Sequence, residues 1–89
     1  MSEVIIPKTP YSVKVNGQFH DVVFTDRDID ILIELAGEVI AQAFVYNNRV
    51  DVVVYGEIPD GVLRRVGGFV DLFAAVEYCL RVKGIQKDA

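Results

Sequence analysis

The sequence predicts an α+β fold: a two-layer sandwich in the order β-hairpin, helix, strand, helices, with the helices on one face of a small mixed sheet. Three observations carry that reading. Asn16-Gly17 lies between two alternating segments; Asp30, Glu34, Glu38 and Gln42 recur every four residues; and a valine-rich run over 50–56 sits between helix-patterned stretches.

Each element has its own signal. Residues 1–10 read as an N-terminal arm or a short edge strand, with Val4, Ile5 and Ile6 closed off by Pro7 and Pro10. Asn16-Gly17 suits a type I′ turn, whose two central residues need positive φ. The resulting register pairs Val15 with Gln18, Val13 with His20 and Tyr11 with Val22. One face of this hairpin then carries Tyr11, Val13, Val15, Val22 and Phe24, and the other Ser12, Lys14 and Asp21 with Phe19 and Val23.

Thr25 reads as a helix N-cap, followed by Asp26 and Asp28 in the first turn. The four-residue acidic repeat then predicts a long helix reaching Asn47-Asn48, which suits a left-handed cap. A rival reading stops the helix at Gly37 and makes 40–46 a strand in a second hairpin turning at Asn47-Asn48. An echo at an offset of 31 residues, Asn16 with Asn47 and Gly37 with Gly68, favours it. The long helix is preferred because Ala41 and Ala43 are poor strand residues.

The run over 49–55 reads as the central strand, apolar enough for burial on both faces. It is expected to lie parallel to the hairpin through a right-handed crossover. Pro59 opens a short helix to Val66. Phe69, Leu72, Phe73, Val76 and Leu80 form the stripe of a last helix running to about Lys83, closed by Gly84. Residues 85–89 read as a flexible tail.

The chain is read as a single domain over 1–89. Of its 89 residues 52% are hydrophobic, and mean hydropathy is +0.31, both high for so small a domain, in which surface dominates. Apolar side chains that cannot fit inside must meet another chain, so a homodimer is expected. The interface candidates are Phe19 and Val23 on the sheet and Val70 and Tyr78 off the helix stripe. A further protein partner is compatible with the same surplus.

A lone cysteine, Cys79, allows no internal disulfide and suits a reducing compartment such as the cytoplasm. No apolar run approaches the ~18 residues of a membrane span, and the N-terminus lacks the basic start of a signal peptide.

Net charge is −4, carried wholly by residues 1–48, where Lys8, Lys14 and Arg27 face seven acids. Phosphate backbones repel such a chain, so nucleic acid is an unfavoured partner. The alternative, a nucleic-acid-associated regulator, would use Arg49, Arg64 and Arg65 as a basic patch. No catalytic constellation is visible: His20 has no neighbouring nucleophile, and Cys79 reads as a core or interface thiol. One histidine and one cysteine make no zinc site, so neither metal nor cofactor is expected. A third reading, a ligand-binding subunit or small enzyme, needs a pocket that joins His20 or Cys79 to a second polar group.

Overall fold

The computed structural model describes residues 11–56 and 64–88. Six strands follow chain order through one antiparallel sheet: β1 (Tyr11–Val15), β2 (Gln18–Asp26), β3 (Ile31–Leu35), β4 (Glu38–Tyr46), β5 (Arg49–Val54) and β6 (Arg65–Phe69). One helix, α1 (Leu72–Val82), follows. The sheet curls into a half-barrel. The helix packs on β4, β5 and β6, and its Phe73 ring stands edge-on to Tyr11 of β1, with centroids 5.0 Å apart.

Three two-residue turns build the meander. Both central residues have positive φ at Asn16-Gly17 (52° and 80°), Ala36-Gly37 (51° and 83°) and Asn47-Asn48 (50° and 60°). That geometry matches the twist of the strands it joins. The first hairpin has the expected register, with Val13 opposite His20 and Tyr11 opposite Val22.

The helix-facing side of the sheet is apolar. Val13, Val22, Ile31, Ile33, Ala43, Val50, Val52 and Val54 are buried there, against Leu72, Ala75, Val76, Cys79 and Leu80 of the helix. Eleven residues make a marginal helix in water, so its docking must hold it. Each fully buried Leu or Val contributes roughly 1.5–3 kcal/mol. Asp71 caps the helix, its Oδ1 accepting from Ala74 N–H at 2.8 Å. At the other end Gly84 takes φ 74°, its N–H donates to Arg81 O at 3.1 Å, and Ile85 N–H donates to Leu80 O at 2.8 Å. These two bonds form a Schellman motif, which turns the chain back toward the first hairpin. There Asp88 N–H donates to Lys14 O (2.8 Å), and the Asp88 carboxylate accepts from Asn16 N–H (3.0 Å) and Gly17 N–H (2.9 Å).

The helices-on-sheet α+β sandwich with a mixed sheet is therefore corrected to an antiparallel curled sheet with one helix among the described residues, which are 55% strand and 15% helix. The long helix from Thr25 is instead the end of β2, all of β3 and most of β4. A four-residue acidic repeat is a multiple of the strand period as well as near a helix turn, so it decides nothing alone. Burial along β3 alternates strictly. In β4 a bulge places Ile40 and Ala41 together opposite Ile33, so both are buried and the alternation is lost from the sequence. The rival reading of the Asn47-Asn48 hairpin matches the pairing of Tyr46 with Arg49. The parallel crossover is replaced by antiparallel pairing throughout. Of the short helix to Val66, residues 59–63 lie outside the described residues, while Arg65 and Val66 belong to β6. Phe69 ends β6, so the last helix starts later than expected. The arm over 1–10 also lies outside the described residues.

Candidate functional site

The topology collects chemistry at the two ends of the sheet. The β2–β3 loop, the β4–β5 turn and the link from β6 to α1 share one end. Here the chain exposes large apolar side chains: Ile29 (82%), Val70 (61%), Val45 (48%) and Phe73 (41%). Ile29 and Val45 line one shallow depression with Asp26 and Asp28. Val45 pairs with Val50 and Val50 with Phe69, but Val50 is buried, so Val45 and Val70 are exposed on either side of a core residue. Phe73 extends the apolar end toward Phe24, ring to ring at 6.5 Å.

The opposite end holds a cavity of about 240 Å³ between the helix C-terminus and the sheet. Val15, Leu35, Ala36, Ile40 and Ile85 form its apolar wall; His20, Glu38 and Lys83 are its polar members. Lys83 Nζ is fixed by a bond to Tyr55 O at 2.8 Å. The sequence names His20 but not its companions. Glu38 reads as one acid of a solvated helix stripe, and Lys83 as a helix end. The short β-branched-rich run over 31–35 ahead of Ala36-Gly37 is the one sequence signal for the turn that brings Glu38 beside His20.

From the β2–β3 loop at the apolar end, a polar network runs along the sheet face away from α1 to Gln42 and Tyr55. Arg27 grips the Asp30 carboxylate with two bonds, Nε to Oδ1 at 2.8 Å and Nη2 to Oδ2 at 2.5 Å. Gln42 Nε2 also donates to Asp30, and Tyr55 Oη donates to Gln42 Oε1 at 2.8 Å. Asp30 is buried yet fully satisfied, as buried carboxylates must be. The Arg27 hydrogen bond, aided by Gln42, outweighs desolvation and holds its pKa below the ordinary carboxylate value. Asp30, the first acid of the repeat, thus has Arg27 as its basic partner.

Of the interface candidates, Phe19 (72%) and Val23 (44%) are exposed on β2, and Val70 stands at the apolar end. Lys14 Nζ sits 5.7 Å from the Phe19 ring centroid. Tyr78 is half-buried, its ring 5.2 Å from that of Phe69. These residues do not form one surface. The basic candidates also stay apart. Arg49 opens β5, while Arg65 pairs with Val53, four residues or about 13 Å further along that strand. Asp51 lies between them and binds Arg65 Nε at 2.9 Å, while the Arg65 guanidinium covers the Phe44 ring at 4.5 Å. Arg64 immediately precedes β6.

Cys79 is buried in the core, and that burial pushes its thiol up to about 11. It is held protonated at neutral pH and is a poor nucleophile there. No group of three or more His, Cys, Asp or Glu side chains among the described residues could hold a metal ion. None of the described helices is long and apolar enough to cross a membrane. No family model, curated protein or solved structure matches the chain.

Proposed function

We propose that this chain is a small non-enzymatic assembly module that pairs with a second copy of itself through its apolar end, in the cytoplasm. The observation that supports this is the convergence of Ile29, Val45, Val70 and Phe73, from four separate chain segments, on one end with 41–82% exposure each. Scattered exposed apolar residues are ordinary, whereas a patch assembled from distant segments marks a contact surface. A two-fold contact uses the same patch on both copies, which suits a surface with no complementary partner patch of its own. Asp26 and Asp28 border it, so like charges approach across the contact, and association should tighten as salt screens them.

Sedimentation of the Val70→Asp and Phe19→Asp variants tests the reading. Val70→Asp places a charge in the contact, which costs several kcal/mol unless paired, and should yield monomers. Phe19→Asp lies on the other sheet face and should sediment as the parent does. Loss of association in Phe19→Asp alone would move the contact to the β2 face and overturn the assignment.

A further inference from the structure

The cavity at the other end holds two opposite charges that do not neutralise each other. Glu38 and Lys83 line the same space of about 240 Å³, yet no ion pair joins them. Among the described residues, the Glu38 carboxylate and the His20 imidazole make no hydrogen bond. The ammonium of Lys83 spends one N–H on Tyr55 O, which fixes its position and leaves two for another acceptor. Beneath these groups the wall is aliphatic: Val15, Leu35, Ile40 and Ile85. Ile85 is locked by its bond to Leu80, and Asp88 ties the same segment to the first hairpin beside Val15. The cavity is therefore formed before any ligand arrives.

We propose that this cavity binds a small zwitterion with an aliphatic body, the chemistry of a free aliphatic α-amino acid. The ligand carboxylate meets Lys83, its ammonium meets Glu38, and its side chain lies on Leu35, Ile40 and Ile85. A ligand with one charge would gain from one wall group and be repelled by the other; a zwitterion satisfies both. The volume falls below the ~300–1,000 Å³ typical of drug-sized ligands, which excludes nucleotides and cofactors of that size. The inference is independent of the self-association reading, since the two surfaces lie at opposite ends.

An NMR titration of the intact chain tests it. Four probes are used: L-leucine, 4-methylpentanoate (no ammonium), 3-methylbutylamine (no carboxylate) and glycine (no aliphatic body). Leucine should shift the amide signals of His20, Leu35, Glu38 and Lys83 with a Kd on the order of 1 mM or tighter. Each truncated probe should bind about tenfold more weakly or worse, the loss of one charged hydrogen bond or of the buried chain. Glu38→Gln should erase the preference for leucine over 4-methylpentanoate, and Lys83→Met that over 3-methylbutylamine. Glu38 is exposed at the start of β4, so its variant keeps the fold, which a parent-like spectrum verifies. If leucine moves no cavity signal, or Glu38→Gln binds leucine as the parent does, the proposal is overturned.

Discussion

The two ends of the curled sheet differ in how the chain finishes them. At one end the β2–β3 loop and the β6–α1 link leave Ile29 and Val70 exposed, and no described segment folds over them. At the other, the Schellman turn at Gly84 sends residues 85–88 back over the first hairpin, and a walled cavity with three polar members results. The difference teaches that a single helix cannot cover a six-stranded sheet. What it leaves over at its C-terminus is closed by the chain itself, and what it leaves at its N-terminus is open to another molecule.

The largest expected effect breaks the apolar end. A Cβ on Gly67 would meet Asp51 Oδ1 at 2.0 Å and Cγ at 2.6 Å, and that carboxylate is already bound to Arg65 and to Gly68 N–H. Gly67→Ala should lower stability by about 1–3 kcal/mol in denaturant unfolding, the usual cost of overpacking. It should also weaken association, because β6 positions Val70. An unchanged unfolding midpoint would mean that the β5–β6 joint is loose.

The polar network along the sheet face away from α1 gives the next effect. Asp30 has a lowered folded pKa, so its contribution is present above the unfolded value of 3.8 and is lost as pH falls below it. Asp30→Asn should flatten the acid limb of the stability–pH curve and leave the limb above neutrality unchanged. Cys79 acts with the opposite sign. Its pKa is raised from 9.0 to about 11, so its contribution is present below pH 9 and fades across that interval. Cys79→Ala should reduce the loss of stability between pH 9 and 11 and leave the part that Lys87, raised by its hydrogen bond to Glu77, contributes at higher pH. The native thiol should also resist disulfide reagents at neutral pH until denaturant opens the core.

The smallest effect sharpens the closed end. Ala36 occupies the left-handed region at φ 51°, which costs a side-chain-bearing residue roughly 1–2 kcal/mol. Ala36→Gly relieves that strain but adds unfolded-chain entropy, so the net gain should stay below about 1 kcal/mol. A drop in Tm would show that the Ala36 methyl matters more to the cavity wall than its backbone strain.

Ala36 also explains what the sequence conceals. Asn16-Gly17 declares its hairpin because both residues tolerate positive φ, and the register follows from it. Asn47-Asn48 tolerates the same geometry but equally suits a helix cap, so its meaning depends on what precedes it. Ala36-Gly37 carries only half a turn signal, and with the Ile40–Ala41 bulge beyond it the second hairpin reads as a helix. Burial alternates along β3, but Leu32 is apolar like Ile31 and Ile33, so those five residues show no sequence alternation to set against the four-residue acidic repeat. The site fared similarly. Val70 and His20 stand out from their own neighbourhoods, but Glu38 and Lys83 join His20 only through the β3–β4 turn and the helix C-terminus. Those are long-range placements that no local pattern encodes.

A concentration series of amide NMR spectra on the parent chain tests the central claim, that the apolar end is where two copies meet. As concentration rises through the micromolar range, the signals of Ile29, Val45, Val70 and Phe73 should move together, while those of Phe19, Val23, His20 and Glu38 stay fixed. Spectra that do not change with concentration, or shifts confined to Phe19 and Val23, would contradict it.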